Sequence, residues 1–228
     1  MINLVLDLDT GIDDAIALSI AAKDERINLL GVTCTYGNVT VDESVYNTLA
    51  LLSLLNRIDV PVYRGRDRAL ISTSTYVPHE AGRKIHGKKG SGDISLKESK
   101  RKAETTNAID YLSSLMMKRD DFTIITTGPM TNLASILLSY PSLSTWKGKI
   151  IFMGGALIVR GNVNYFSEAN IYKDPEAAKI VIESGLDITM IGLDVTERIR
   201  LYRKDSEKWK NRKSEIGRTL GSMLDYYL

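Results

Sequence analysis

Four carboxylates lie close together near the start of the chain, in the segment DLDTGIDD of residues 7–14. Like charges at this spacing repel one another and destabilise a fold unless something compensates for them. Asp13 and Asp14 could compensate in part as first-turn residues of a helix, where acids interact favourably with the helix dipole. That explanation leaves Asp7 and Asp9 unaccounted for. A bound hard cation, Ca²⁺ or Mg²⁺, accounts for the whole cluster because such ions take carboxylate and carbonyl oxygens as ligands.

Zinc is a weaker candidate, because the chain has one cysteine, Cys34, and only two histidines, His79 and His86. A single cysteine excludes an internal disulfide, and its apolar surroundings favour a buried, unreactive thiol.

The formal net charge is +2, which gives no electrostatic case for a nucleic-acid or membrane partner. The first residues have no basic region of the kind that opens a secretory signal, and no apolar stretch is long enough to span a bilayer. We therefore expect a cytoplasmic protein.

The functional segments must be positioned by the strands and helices between them, and short apolar runs alternate with helical patterns along the chain. Strands are predicted at Ile2–Leu8, Ile27–Thr35, Val60–Tyr63, Phe122–Thr126, Ile150–Met153 and Ile188–Leu193. Helices are predicted at Ala15–Lys23, Asp42–Leu55, Ala108–Lys118, Thr131–Leu138 and Pro175–Ser184. Apolar strands separated by helices predict an α/β fold: a doubly wound, mostly parallel, Rossmann-like sheet with helices on both faces. We expect a single domain over residues 1–228.

Two segments interrupt this alternation. Arg66–Thr106 is long, polar and rich in glycine, and a loop of this length is usually either functional or disordered. Ala156–Asn164 carries Gly161 between apolar residues and is interpreted as a hairpin near a strand end. The basic stretch Arg198–Arg218 has acids interleaved, which is typical of a solvated helix face.

Polar, glycine-containing segments follow five of the predicted strands. Beyond the acidic cluster they are TYGN (35–38), TGPMTN (127–132), MGG (153–155) with Asn162, Glu168 and Asn170 further on, and GLD (192–194). In an open parallel sheet, ligands bind beyond the carboxyl ends of the strands. The five segments therefore predict one shared cleft.

These segments together resemble the motifs of the inosine–uridine-preferring nucleoside hydrolases. DLDTGIDDA (7–15) is similar to the family's DxDPGxDDA, with Thr10 where proline is common. YGN (36–38), IHG (85–87), TGPMTN, MGG, GN (161–162), EANIYKDPEA (168–177) and GLDVT (192–196) resemble the family's later motifs, in the family's order. The ordered series carries the resemblance, since any one motif alone would be weak.

The resemblance implies hydrolysis of the N-glycosidic bond of ribonucleosides to free base and ribose, as part of purine or pyrimidine salvage. It implies one Ca²⁺ held by Asp9, by both oxygens of Asp14 and by the carbonyl oxygen of Thr127. Asp9 would accept a proton from a calcium-bound water that attacks C1′. The side chains that would bind the ribose hydroxyls are those of Asp13, Asn38, Asn162, Glu168 and Asn170. Met153 would pack against the sugar and His86 would lie near the base, and the family implies a homo-oligomer, dimeric or tetrameric.

Simpler interpretations of single residues stay open beside these roles. Asn38 and Asn162 also fit turn positions, which asparagine commonly occupies after glycine. Met153 also fits a core position at a strand end, and His86 a surface position.

The sequence departs from the family pattern in one respect: it contains no His-Asp pair, although the family's chains continue into a segment that carries one. The resemblance then implies a calcium shell with one charged ligand fewer and a different proton donor for the leaving base. We expect a C-terminally truncated version of the fold, with an exposed apolar surface near Leu220–Leu228. A truncated product, a fragment that pairs with a second polypeptide, a degenerate homologue and groups supplied by a neighbouring subunit all remain open.

Two other functions remain as alternatives. A catalytically impaired nucleoside- or ribose-binding homologue would use the same cleft without turnover. A phosphatase of the haloacid dehalogenase type is suggested by Asp7-Leu8-Asp9-Thr10, which looks like its DxDxT motif and would make Asp7 a nucleophile. The phosphatase interpretation explains the first motif alone.

Overall fold

A sheet of six parallel strands, in the order β3-β2-β1-β4-β5-β6, forms the centre of the computed structural model, which describes residues 1–228. The strands are β1 (Ile2–Leu8), β2 (Ile27–Cys34), β3 (Val62–Arg64), β4 (Thr123–Thr126), β5 (Lys149–Met153) and β6 (Asp187–Ile191). The chain first winds from β1 towards β3 and then returns to continue from β4 on the other side of β1. The boundary between β1 and β4 is therefore the switch point of a doubly wound sheet, and the predicted fold class is confirmed.

Ten helices cover the sheet. They are α1 (Ile12–Lys23), α2 (Val41–Leu54), α3 (Glu80–His86), α4 (Ala108–Lys118), α5 (Thr131–Ser139), α6 (Ala169–Lys173), α7 (Pro175–Ile182), α8 (Leu193–Thr196), α9 (Arg203–Lys210) and α10 (Glu215–Tyr227). Side-chain caps set several of the starts. Thr40 and Glu43 form a reciprocal capping box at α2, and Asp174 caps α7 directly before Pro175.

The core lies in two layers, because successive side chains of a strand point to opposite faces of the sheet. Leu4, Leu6 and Leu8 of β1 pack in one cluster with side chains of α1 and α2. Val5 packs in the other cluster, with side chains of α4, α5 and α7. Both faces of β1 are thus buried from Leu4 onwards, which explains why Leu4, Val5 and Leu6 are all apolar.

The two irregular segments differ in how they compare with expectation. The prediction of a hairpin at Ala156–Asn164 is wrong, because no strand forms there. Instead, the Gly161 amide donates to the Tyr165 carbonyl and the Val163 amide donates to the Ser167 carbonyl, and these bonds hold the backbone in turns. The segment 66–106 contains α3 and lies against α2, where the Asn47 amide donates to the Lys89 carbonyl. None of the helices combines the length and apolarity required to cross a membrane.

Candidate functional site

Asp9 and Asp14 are brought together at the switch point of the sheet. Asp9 follows the end of β1, Asp14 lies in the first turn of α1, and Thr127 follows β4, the strand next to β1. Both carboxylates are buried, with Asp9 fully inaccessible and Asp14 2% exposed. Asp14 accepts hydrogen bonds from the Thr127 hydroxyl at 2.6 Å and from the Gly11 amide at 3.1 Å. These bonds hold the Asp14 carboxylate in place beside that of Asp9.

Electrostatics make this pair of acids unfavourable without a cation. Burial raises the pKa of Asp9, while the nearby Lys173 ammonium opposes that shift. The pKa of Asp14 is raised well above its usual value, first by burial and then by the charges of Asp9 and Asp13. The two carboxyl groups lie within hydrogen-bonding reach of each other. A hard cation would remove the repulsion and supply charge in place of lost hydration.

The donor set suits an ion that takes oxygen ligands. No group of three or more His, Cys, Asp or Glu side chains is arranged to hold a metal ion. Asp9 and Asp14 would thus supply the side-chain ligands, and the remaining positions would fall to backbone oxygen, water or substrate. The Thr127 carbonyl already accepts a bond from the Asn170 side chain at 2.7 Å and has a second lone pair to offer. Two carboxylates and a carbonyl are chemically suited to Ca²⁺ and unsuited to zinc.

The loop after β2 closes directly over Asp9. The Asn38 backbone amide donates to Asp9 Oδ2 at 2.5 Å, and the Asn38 side chain donates to Oδ1 at 3.3 Å. Gly37 permits this approach, because a Cβ at that position would lie 2.0 Å from Asp9 Oδ2. The conformation of Asp9 is therefore set by the neighbouring loop.

Glu168 and Asn170 form a third wall, carried by the segment after β5. Oε2 of Glu168 accepts from the amides of Gly155, Asn170 and Ile171, at 3.1, 2.9 and 3.1 Å. Asn170 Nδ2 donates to the carbonyls of Thr127 and Met153, at 2.7 and 3.1 Å, and also contacts the Met153 sulfur. Each side chain thus uses one of its two polar atoms, Oε2 of Glu168 and Nδ2 of Asn170, in hydrogen bonds to the backbone. Oε1 of Glu168 and Oδ1 of Asn170 make none of these bonds and can accept from a ligand.

Asp13 and His86 lie next to each other at the start of α1. His86 Nδ1 accepts from the Ile12 amide at 3.3 Å and is 3.7 Å from Asp13 Oδ1. An Nδ1 that accepts places the proton of a neutral imidazole on Nε2. His86 is buried, and its ring packs against Tyr227 with centroids 5.5 Å apart. The polar segment 66–106 therefore contributes a side chain to the same end of the sheet.

Asn162 is placed differently from the other predicted ribose ligands. Its side chain is exposed, and its Oδ1 accepts from the Ala169 amide at 2.9 Å. This bond holds the irregular segment 157–167 against the start of α6. No hydrogen bond joins the Asn162 side chain to Asp9, Asp14 or Asn170, and its predicted role in binding ribose stays a prediction.

Asp7 supports the site from beneath. It is fully buried and accepts from the Thr33 hydroxyl at 2.6 Å, the Asn132 amide at 2.7 Å and the Thr126 hydroxyl at 3.3 Å. Burial outweighs these bonds and raises the pKa of Asp7 to about 6. A carboxylate enclosed by three donors joins β1, β2, β4 and α5. That position does not offer the accessible nucleophile that the phosphatase interpretation requires.

Two further side chains near Asp9 were not singled out by the sequence. Lys173 Nζ lies 4.0 Å from Asp9 Oδ2. Tyr76, from the segment 66–106, packs against Tyr36 with ring centroids 4.8 Å apart. Burial, together with the charge of Asp9, raises the pKa of Tyr76 to about 12. Lys173 lies within the motif 168–177 but was given no role there, and Tyr76 lies outside every motif. Only the folded chain brings the two side chains to Asp9.

The fold and the site define a Rossmann-like α/β protein with a cluster of acidic side chains at the switch point. The chain belongs to the family described as inosine-uridine preferring nucleoside hydrolase, whose model matches residues 4–228. The predicted family is thus confirmed, and with it the enzyme class, nucleoside hydrolase.

Relatives named for different nucleoside specificities match nearly the whole chain. The pyrimidine-specific ribonucleoside hydrolase RihA of Enterobacter sp. (strain 638) is 36% identical over 99% of this chain and 70% of its own. Uridine nucleosidase 1 of Arabidopsis thaliana is 36% identical over 99% of this chain and 66% of its own. The solved structure of a purine-preferring ribonucleoside hydrolase from Gardnerella vaginalis is similar with a TM-score of 0.96 and 42% identity, covering 99% of this chain and 71% of its own.

Proposed function

We propose that the protein hydrolyses the N-glycosidic bond of ribonucleosides to free base and ribose, with Ca²⁺ held by Asp9, Asp14 and the Thr127 carbonyl. The observation that carries this proposal is the pairing of two buried carboxylates at the switch point of a nucleoside hydrolase fold. The named relatives include pyrimidine-specific, uridine and purine-preferring enzymes. The proposal therefore covers ribonucleosides as a class and assigns no base preference.

Asp9 is proposed as the general base. A bound calcium ion would supply positive charge that lowers the pKa of a neighbouring water. Asp9 would accept the proton of that water as it attacks C1′ of the sugar. The two bonds from Asn38 hold the Asp9 carboxylate in one orientation, which is what proton transfer over a short distance requires.

The ribose hydroxyls are proposed to bind between the three walls of the cleft. Glu168 Oε1 and Asn170 Oδ1 would accept hydrogen bonds from the hydroxyls, and each side chain is held in place through its other polar atom. Asp13, whose side chain is 56% exposed, and the Asn38 side chain, which lies beside Asp9, would bind the remaining hydroxyls. Bonds remote from the cleaved bond orient the sugar for attack. Acidic walls also favour the oxocarbenium-like charge that glycoside hydrolysis develops.

Met153 and His86 are proposed to contact the non-hydroxyl parts of the nucleoside. Met153 is half-buried beside Asn170 and would pack against the sugar face. His86 would lie near the base, and its Nε2–H would be the polar group available, because Nδ1 is occupied by the Ile12 amide. Asn162, predicted to bind a hydroxyl, would have to release its bond to the Ala169 amide to do so.

Ribose release from inosine and from uridine, followed with a reducing-sugar assay in the presence of Ca²⁺, tests the proposal. Asp9→Ala is expected to lower the rate by about 10²–10⁴-fold, the usual contribution of a general base. Asp187→Ala is a matched control, since Asp187 is an exposed carboxylate at the first position of β6. Turnover in Asp9→Ala close to the wild-type rate would contradict the assignment. Nucleoside-induced stabilisation without turnover by the wild-type protein would instead identify a binding protein.

A further inference from the structure

Lys173 ends helix α6 at the rim of the cleft, and its backbone is held in place. The Lys173 carbonyl accepts from the hydroxyl of Tyr36, a fully buried residue, at 3.3 Å. The next residue, Asp174, is also fully buried and accepts from the Thr131 hydroxyl at 2.6 Å and the Leu70 amide at 3.0 Å. The point from which the Lys173 side chain extends is therefore fixed.

The Lys173 side chain extends into the site. It is only 14% exposed, although lysine is almost never buried without a partner. Its ion-pair partner is Asp9, whose Oδ2 lies 4.0 Å from Nζ, which is beyond hydrogen-bond distance. The ammonium thus carries three donor hydrogens towards the cleft and uses none of them on Asp9. Within the site it is the cation that offsets the charge of Asp9.

We infer that Lys173 is a built-in counter-cation of the Asp9–Asp14 pair and competes with Ca²⁺ for it, so that the protein binds calcium more weakly than the two carboxylates alone would. The inference rests on the proposed function, because it concerns the calcium ion proposed there. Lys173 would set the calcium affinity of the site, and the roles proposed for the other residues would stay unchanged.

The physical basis is repulsion between two cations that share one carboxylate. Calcium binds at about 2.3–2.6 Å from its oxygen ligands. An ion on Asp9 would then lie within a few ångströms of the present position of Nζ, where charges interact strongly in a partly buried site. The flexible lysine stem allows the ammonium to move away, but the attraction to Asp9 is then lost. Either outcome lowers the net free energy gained on binding calcium.

Isothermal titration of Ca²⁺ into the purified protein tests the inference without relying on turnover. Lys173→Met removes the charge at nearly constant length and is expected to lower the Kd for Ca²⁺ by about tenfold or more. Lys173→Arg keeps the charge and should stay near the wild-type Kd. Lys179→Met removes one positive charge from an exposed position of α7 and should leave the Kd within about twofold, as expected for a distant, screened charge.

A second measurement uses the melting temperature. Without calcium, Lys173→Met should melt below the wild-type protein, because the acid pair then has no counter-charge, and added Ca²⁺ should raise its melting temperature by more. If Lys173→Met fails to fold, Lys173→Gln serves for both measurements. Equal calcium affinities in the wild type and the uncharged variant would overturn this inference alone. Failure of both proteins to bind Ca²⁺ would overturn it together with the calcium site of the proposed function.

Discussion

Replacing Glu168 by alanine should cost the protein both stability and substrate binding, and the two losses can be separated. Oε2 of Glu168 accepts from three backbone amides, those of Gly155, Asn170 and Ile171. The residue is 2% exposed, so water cannot readily replace the lost oxygen. A buried donor left without an acceptor costs about 1–3 kcal/mol. Three such donors, each at about the lower value, predict a loss of about 3 kcal/mol in the free energy of unfolding.

Glu168→Gln is the informative companion. Its amide oxygen can still accept from the three backbone amides, and the loss is limited to the charge assistance of those bonds, about 1–2 kcal/mol. The NH₂ group, however, takes the place of Oε1, the atom proposed to accept from a ribose hydroxyl. Ribose release should therefore fall in both variants, while stability should fall much more in Glu168→Ala.

Urea denaturation, followed by circular dichroism at an unchanged m-value, measures the stability difference. Glu183→Ala is the control, because Glu183 is an exposed glutamate just beyond α7, and its loss should change stability by less than about 0.5 kcal/mol. The reasoning is refuted if Glu168→Ala loses less than about 1 kcal/mol, the cost of a single unsatisfied donor. Equal losses in the alanine and glutamine variants would also refute it.

Two further predictions concern close packing around the site. Gly37→Ala should abolish most calcium binding and ribose release, because its Cβ would displace Asp9 Oδ2, whereas Gly82→Ala, with no atom within 4 Å of the new Cβ, should leave both unchanged. Near-normal calcium affinity in Gly37→Ala would show that Asp9 does not depend on this approach. Cys34 is fully buried and burial raises its pKa to about 12, so a thiol reagent at pH 8 should label the protein only after unfolding in urea. Rapid stoichiometric labelling of the native protein would contradict that burial.

The alternation of apolar runs and helical patterns was sufficient to predict the sheet and the edge at which the acidic residues meet. The run Ile2–Leu8 is mostly apolar up to Asp7, and the carboxylates at its end had to lie at the carboxyl edge, where the switch point places them. The predicted hairpin at 156–164 failed because its apolar side chains have no partner strand; Ile158 is 92% exposed. α3 was missed because it buries only His86 and therefore shows no apolar stripe.

The finer arrangement of the site could not be predicted from spacing alone. Lys173 and Asp9 are far apart in sequence, and their approach depends on how α6 ends and on the bond between the Tyr36 hydroxyl and the Lys173 carbonyl. Asp7 stood in the same cluster as Asp9, yet it is bound by Thr33, Thr126 and Asn132 beneath the cleft. The neighbouring strands decide that Asp7 supports the scaffold and that Asp9 lies at the proposed metal site. The sequence pattern does not specify the pairing of those strands residue by residue.

A crystal structure of the protein grown with Ca²⁺ and ribose tests the central claim most directly. The account predicts one ion bound by the carboxylates of Asp9 and Asp14 and by the Thr127 carbonyl, with sugar hydroxyls on the free oxygens of Glu168 and Asn170. An ion bound elsewhere, or a sugar seated away from these side chains while Asp9 and Asp14 carry no metal, would contradict it.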